Sequence, residues 1–293
     1  MTAPAAEIEI DEPLVRALLR AQRPDLAGLE IEIAGQGWDN VVARAGDWAI
    51  RLPRRTLGAK LIENELKWLP QIAEGLPLPV PVPVFTGSPE AGYPWKWSIA
   101  RWLPGRPAST APPADSSRAA EELAAFLAAL HRPAPADAPV NRFRGVPLDE
   151  RAESVRERAH ALQGTIEVER VLEIWENLRT TPVWSGPAMW LHGDMHPANL
   201  LIHEGKLSAV IDFGDVTSGD PASDLAVAWT MFGKEDREVF CRTAEVHPDT
   251  WRRSAGWALN LALVFLGADE GTSMREIGKR TLRAVMEDDS YSG

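Results

Sequence analysis

The spacing of apolar residues changes along this chain, and the change divides it. Residues 13–22, PLVRALLRAQ, predict a short helix opened by Pro13, a residue suited to a first helical turn. LEIEIAG then alternates apolar and polar positions. With VVARAG and DWAIRLP, which glycine and aspartate separate, it predicts an antiparallel meander. Residues 57–69, LGAKLIENELKWL, shift to helical spacing through Leu57, Leu61, Trp68 and Leu69, and Pro70 is expected to limit that helix. The proline run LPLPVPVPVF excludes a helix and predicts an extended connector into a strand. YPWKWSIARWLPG predicts a further strand ending in a turn at Pro104 and Gly105.

After a loop, ASTAPPADSS, helical stripes dominate. Leu123, Phe126, Leu127 and Leu130 share one face, as do Val168, Val171, Leu172, Trp175 and Leu178, and both stripes read as core. Within this later part, only 188–214 reads as strand. The pattern predicts a strand-rich part over residues 1–102 and a helix-rich part over 103–293, with no internal repeat.

Composition narrows the function. A formal net charge of −11 argues against a nucleic-acid partner, whose phosphates call for basic patches. The single cysteine, Cys241, rules out an intrachain disulfide and a cysteine-built metal cluster, and its setting in EVFCRTA suggests a packing residue on a helix. The first residues, MTAPAAEIEIDEP, do not read as a signal peptide. GWALNLALVFLGA is too short to span a bilayer and is interrupted by Asn260. A cytoplasmic protein without a membrane partner is expected.

The chemistry concentrates in LHGDMHPANLLI, residues 191–202. His192 and His196 stand four apart, which on a helix would suit zinc. Gly193 and Pro197 argue against that helix, so a tight loop between two short strands is expected instead. Asp194, then Asn199, then Asp212 at the end of a second strand, LSAVID, match what phosphoryl transfer needs. One carboxylate orients a hydroxyl, while an amide and a second carboxylate hold magnesium over phosphates. Taken singly, Asp194 and Asn199 could be turn residues and Asp212 a strand-end cap.

HGDMHPANLLI followed by AVIDFGDVTSGDPASDLA resembles the aminoglycoside phosphotransferase family, whose members share the protein-kinase fold. The resemblance implies an α+β, bilobal kinase-like fold: a small antiparallel-sheet N-lobe and a larger, mainly helical C-lobe. It implies Asp194 as the catalytic aspartate, and Asn199 and Asp212 as Mg2+ ligands. ATP or GTP is the implied donor. His192, Asp220 and Asp224 are implied to be structural, with Asp224 tying down the loop, and His196 is expected at the loop surface.

The glycines of GQGWDN, Gly35 and Gly37, form a hairpin whose amides suit phosphate oxygens, or an ordinary turn. The family's usual strand lysine is replaced by Arg51, whose expected partner is Glu65, with Glu63 as the alternative. Backbone groups near Arg101 and Leu103 are expected to meet the base. The short stretch between Asp212 and the next helix leaves no room for a long activation loop, so a small hydroxyl-bearing acceptor is expected rather than a protein.

An aminoglycoside-like, cationic acceptor would draw on Asp215, Asp269 and Glu270. The alternatives are a macrolide phosphotransferase, a kinase for choline, an amino alcohol or a sugar, and a non-catalytic nucleotide-binding module.

Overall fold

Asp11 starts helix α1 (Glu12–Gln22) by accepting from the Leu14 N–H at 2.9 Å, with Pro13 in the first turn. In this computed structural model, which describes residues 4–288, the expected meander follows as β1 (Ile31–Gln36), β2 (Asn40–Ala45) and β3 (Trp48–Pro53). Residues 1–3 and 289–293, which include the start of the segment read for a signal peptide, lie outside the described residues. Helix α2 (Thr56–Ile72) comes next, then β4 (Pro83–Gly87) and β5 (Trp97–Arg101). The five strands form one antiparallel sheet in the order β1-β2-β3-β5-β4. Val15, Leu18 and Leu19 of α1 pack into one apolar cluster with Ile31, Val41, Ala43, Ile50 and Leu52 of the sheet.

Two expectations for α2 need correction. Pro70 does not end it: the helix runs on to Ile72, because Trp68, Leu69 and Ile72 are buried in the core and hold the last turn. Leu57 is not on the inner face but 50% exposed, and Gly58, Ile62 and Glu65 point inward instead.

The rest of the chain is β6 (Arg106–Pro107), α3 (Ser116–Leu130), α4 (Ala152–Ala161), α5 (Val168–Arg179), β7 (Met189–Leu191), β8 (Leu200–His203), β9 (Lys206–Val210), β10 (Thr217–Gly219), α6 (Ala222–Leu225), α7 (Val227–Met231), α8 (Lys234–Thr243), α9 (Pro248–Leu266) and α10 (Ser273–Met286). Strand structure therefore extends beyond the expected 188–214. β10 pairs with β7, and β6 joins β8 and β9, antiparallel throughout. These short ribbons carry too few residues for alternation to show in the sequence.

Two apolar clusters fill this part. One unites the end of α2 with α3, β8, β9 and Phe240 of α8, so a helix of the sheet region is anchored among the helices that follow. The other joins α4, α5, α9 and α10 around Trp175 and Trp257. Among the described residues no helix is long and apolar enough to cross a membrane.

Candidate active site

The loop after β7 is shaped by Gly193. Its φ is 84°, and a Cβ there would stand 2.1 Å from the Asp215 backbone oxygen. Only glycine fits this close approach. It brings the 192–199 loop against the turn at 213–215.

A buried carboxylate fixes the loop from below, and a second lies nearby in the chain. Asp224 accepts from the His192 N–H at 2.7 Å and the Gly193 N–H at 3.0 Å, with His131 Nε2 3.3 Å away. Asp220 is held by Arg253, at 2.6 Å from Nε and 3.1 Å from Nη2. His192 Nε2 donates to the Ile211 carbonyl at 2.9 Å, and the ring lies 4.6 Å from that of Phe213. A carbonyl only accepts, so Nε2 carries the proton and Nδ1 is left to accept from the Asp194 N–H at 3.2 Å.

Asp194 stands in this frame with three polar neighbours. His196 Nε2 lies 3.2 Å from Oδ2, Arg144 Nη2 donates to Oδ1 at 3.0 Å, and Asn199 Nδ2 donates to the backbone oxygen at 2.8 Å. Burial alone would raise the Asp194 pKa. His196 and Arg144 outweigh it and hold the carboxyl well below the usual range.

His196 is therefore not the loop-surface residue expected. It is half-buried, accepts from the Ala198 N–H through Nδ1 and packs edge-on against Phe265 of α9. The two histidines serve different partners, and no helix joins them.

Asp212 follows β9 at φ 65°, a left-handed conformation that aspartate tolerates better than most residues. Its side chain is half exposed and ion-paired with Arg51 of β3. Arg51 also meets Glu65 of α2 at 2.8 Å, where Glu65 is 1% exposed. Glu63 lies elsewhere, 3.4 Å from Lys96 at the surface. Burial works against the Arg51 charge, but Asp212 and Glu65 more than offset it and hold its pKa above the ordinary arginine value. Burial lifts the Glu65 carboxyl, while Arg51 pulls the other way.

Gly35 and Gly37 lie in the β1–β2 hairpin. Gly37 donates to the Asn40 carbonyl at 2.8 Å and accepts from Arg54 at 3.1 Å, and Arg55 pairs with Asp39 at the turn. Arg101 ends β5 with its guanidinium 4.2 Å from the Trp48 ring centre, and Leu103 is half-buried two residues on.

The three acids expected at the acceptor separate. Asp215 is at the site: it accepts from Asn141 Nδ2 at 3.0 Å, and burial, then the Asp194 charge, push its pKa up to about 6. Asp269 and Glu270 are exposed in the α9–α10 turn, and Glu270 lies 3.8 Å from Arg275. Among the described residues no hydrogen bond or ion pair links them to Asp194.

The sequence reading missed Asn141 and Arg144, which lie in the NRFRG loop without periodicity and reach the site across 50 residues or more. Two prolines flanking a basic loop were the only signal there.

Asn199 uses its amide nitrogen toward Asp194, which leaves the oxygen side for a hard cation. Among the described residues no group of three His, Cys, Asp or Glu side chains could hold a metal.

Residues 30–257 match the Phosphotransferase enzyme family, APH. The chain belongs to this family. Solved structures show the same fold at low identity. Aminoglycoside 2'-phosphotransferase-IIIa, in complex with GDP, is 20% identical with a TM-score of 0.70, covering 94% of this phosphotransferase and 99% of that chain. Macrolide 2'-phosphotransferase MphH from Brachybacterium faecium, as apoenzyme, is 23% identical with a TM-score of 0.61, covering 93% and 98%. YcbJ of Bacillus subtilis (strain 168) is 33% identical over 54 residues, a segment that spans 18% of this chain and 18% of that relative. The chain thus has the bilobal, mixed α and β fold expected of the family.

Proposed function

We propose that this phosphotransferase moves the γ-phosphoryl group of ATP or GTP to a hydroxyl of a small molecule, with Asp194 as its catalytic residue. One juxtaposition carries the reading. An ionised, half-buried Asp194 is hydrogen-bonded by Asn199 and acts with Asp212 on Asp215, while Arg51 joins Asp212 to the buried Glu65. Residues 1–102 form the nucleotide lobe and residues 103–293 the acceptor lobe in this reading. Gly35 and Gly37 offer amides to phosphates, Arg51 neutralises them, and the base meets backbone near Arg101 and Leu103.

Asn199 and Asp212 would hold Mg2+, which supplies charge neutralisation between the phosphates. Asp194 accepts a hydrogen bond from the acceptor hydroxyl, orients its oxygen and takes its proton late in the transfer. A carboxyl held below its usual pKa is a weak base, so most of the rate comes from positioning and electrostatics. Asp224 keeps the loop in shape through the backbone of His192 and Gly193, and Asp220 has a structural part through Arg253. A cytoplasmic place of action, where nucleoside triphosphates are available, goes with this reading.

For the acceptor, similar proteins point to antibiotics: a relative of the same fold is described in complex with GDP and kanamycin. An aminoglycoside-like acceptor would find Asp215 here, with Asp269 and Glu270 exposed in the turn after α9.

The test is a phosphate-transfer screen over aminoglycosides, macrolides and amino alcohols, with ATP and GTP, on the parent and Asp194→Asn. Turnover in the variant should fall by about 10²–10⁴-fold with nucleotide binding retained. Near-normal turnover in a folded variant would overturn the role of Asp194.

A further inference from the structure

Three arginines gather where Arg144 meets Asp194. Arg144 reaches Asp194 from the loop before α4. Arg151, at the start of α4, is 8% exposed, and its Nε is buried with no hydrogen-bond partner. Arg158, one face further along α4, donates to Ser154 Oγ at 3.3 Å and to Asn260 Oδ1 of α9 at 3.1 Å. Among the described residues no carboxylate forms an ion pair with Arg151 or Arg158. The three charges feel one another. Burial and then Arg158 and Arg144 depress the Arg151 pKa, with Glu150 opposing. Burial and then Arg144 depress that of Arg158, with Glu157 opposing.

Helix α9 carries one residue that touches Arg158 and one that touches His196. Asn260, which Arg158 touches, and Phe265, which packs on His196 beside Asp194, stand five residues apart on it. At 1.5 Å per residue the two positions are roughly 7–8 Å apart along the axis and about 140° apart around it. Phe143, half exposed, lies between the guanidinium groups of Arg142 at 5.7 Å and Arg151 at 5.3 Å, and forms an apolar shelf at the same edge.

A buried guanidinium nitrogen without a hydrogen bond, as Arg151 Nε is, is costly, and like charges close by add to the cost. Arg151 has the Phe143 ring and Arg158 the neutral oxygens of Ser154 and Asn260, whereas Arg253 has a carboxylate, Asp220. Guanidinium groups gathered with no carboxylate paired to them suit an anion.

We propose that Arg151 and Arg158 bind an anionic group, a carboxylate or a phosphate, carried by the acceptor whose hydroxyl meets Asp194. Guanidinium forks suit both anions through paired hydrogen bonds. Arg144, already engaged with Asp194, leaves these two as the anchor. The proposal rests on the phosphotransferase reading above and departs from the cationic acceptor expected there.

The experiment compares matched acceptors with magnesium and ATP or GTP: glycerate against glycerol, gluconate against glucose, glucose 6-phosphate against glucose, with kanamycin and erythromycin alongside. Magnesium–nucleotide binding is measured separately by calorimetry. The anionic member of at least one pair should be phosphorylated with a kcat/KM tenfold or more above its neutral partner. The carboxylate and phosphate pairs tell the two anions apart.

Arg158→Gln, at a half-buried position, should raise that acceptor's KM about tenfold with little change in the nucleotide KM, and Arg158→Lys should recover part of the loss. Preference for neutral or cationic acceptors overturns the proposal, as does an unchanged acceptor KM in Arg158→Gln. So does nucleotide binding without anionic preference in any pair. Loss of magnesium–nucleotide binding in the parent protein would instead overturn the phosphotransferase reading beneath it.

Discussion

Arg51 touches two carboxylates of different character, and this separates two effects of removing it. Glu65 is 1% exposed and relies on Arg51, whereas Asp212 is half exposed. Arg51→Ala therefore strands a buried charge, and denaturant unfolding should show a loss of about 3–5 kcal/mol. Adding Glu65→Gln should recover part of that loss, since the stranded charge is gone; an unchanged stability in the double variant would show that Arg51 matters for other reasons. Arg51→Lys keeps a charge without the fork. It should fold well yet show a nucleotide KM raised more than kcat is lowered.

Asp215 allows a pH prediction at the same scale. Its folded pKa is about 6 against an ordinary 3.8, because of burial and the Asp194 charge. The folded state therefore binds this proton more tightly than the unfolded state. The resulting stabilisation is complete below about pH 4 and is lost as pH rises through 6. Asp215→Asn keeps an oxygen for Asn141 and carries no charge to bury. At pH 8 it should be more stable than the parent by about 2–3 kcal/mol, and near pH 4 the two should converge. Equal stability of the two proteins at pH 8 would contradict the assignment.

At this scale the sequence was legible where chemistry orders residues within a short span. Asp194, Asn199 and Asp212 lie on one loop and the ribbon that follows it. His196 was misjudged because its partners, Asp194 and Phe265, come partly from a distant helix.

Among the elements, α2 carries the tightest joint. Gly58 in its first turns is buried, and a Cβ there would stand 2.5 Å from the Asp39 backbone oxygen in the β1–β2 turn. Because the obstacle is backbone, it cannot rotate away. Gly58→Ala should cost about 1–3 kcal/mol through overpacking. It should also displace the hairpin of Gly35 and Gly37, so a rise in nucleotide KM is expected with the acceptor KM unchanged. A nucleotide KM equal to the parent's would mean that the hairpin does not touch phosphate.

Strands β1 to β3 and the helix stripes were legible from periodicity because each is long enough to repeat. The limits of α2 were not, since burial of Trp68, Leu69 and Ile72 overrides Pro70 locally. Nor were β6 and β10, two and three residues long, which exist through pairing with β8 and β7 alone.

Across the whole molecule, the two parts read from the sequence share more than a connector. Trp68, Leu69 and Ile72 of α2 sit in the same apolar cluster as α3, β8 and Phe213, so the helix bearing Glu65 is anchored in the part bearing Asp194. Arg51 then ties β3 to α2 through Glu65 and to the end of β9 through Asp212. A ligand that bridges Arg51 and Asp212 would therefore act on both parts at once.

Magnesium with nucleotide at 100 times its Kd should stabilise the folded chain by about 2.7 kcal/mol, seen as a rise in the thermal midpoint. Asp212→Ala should abolish the magnesium-dependent share of that rise, because the proposed function makes its carboxylate a charged ligand of the metal. The apo variant should itself change little in stability, since the lost side chain is half exposed and Arg51 retains Glu65. If magnesium and nucleotide raise the midpoint of Asp212→Ala as far as that of the parent, the metal is held elsewhere and the assignment of Asp212 is wrong.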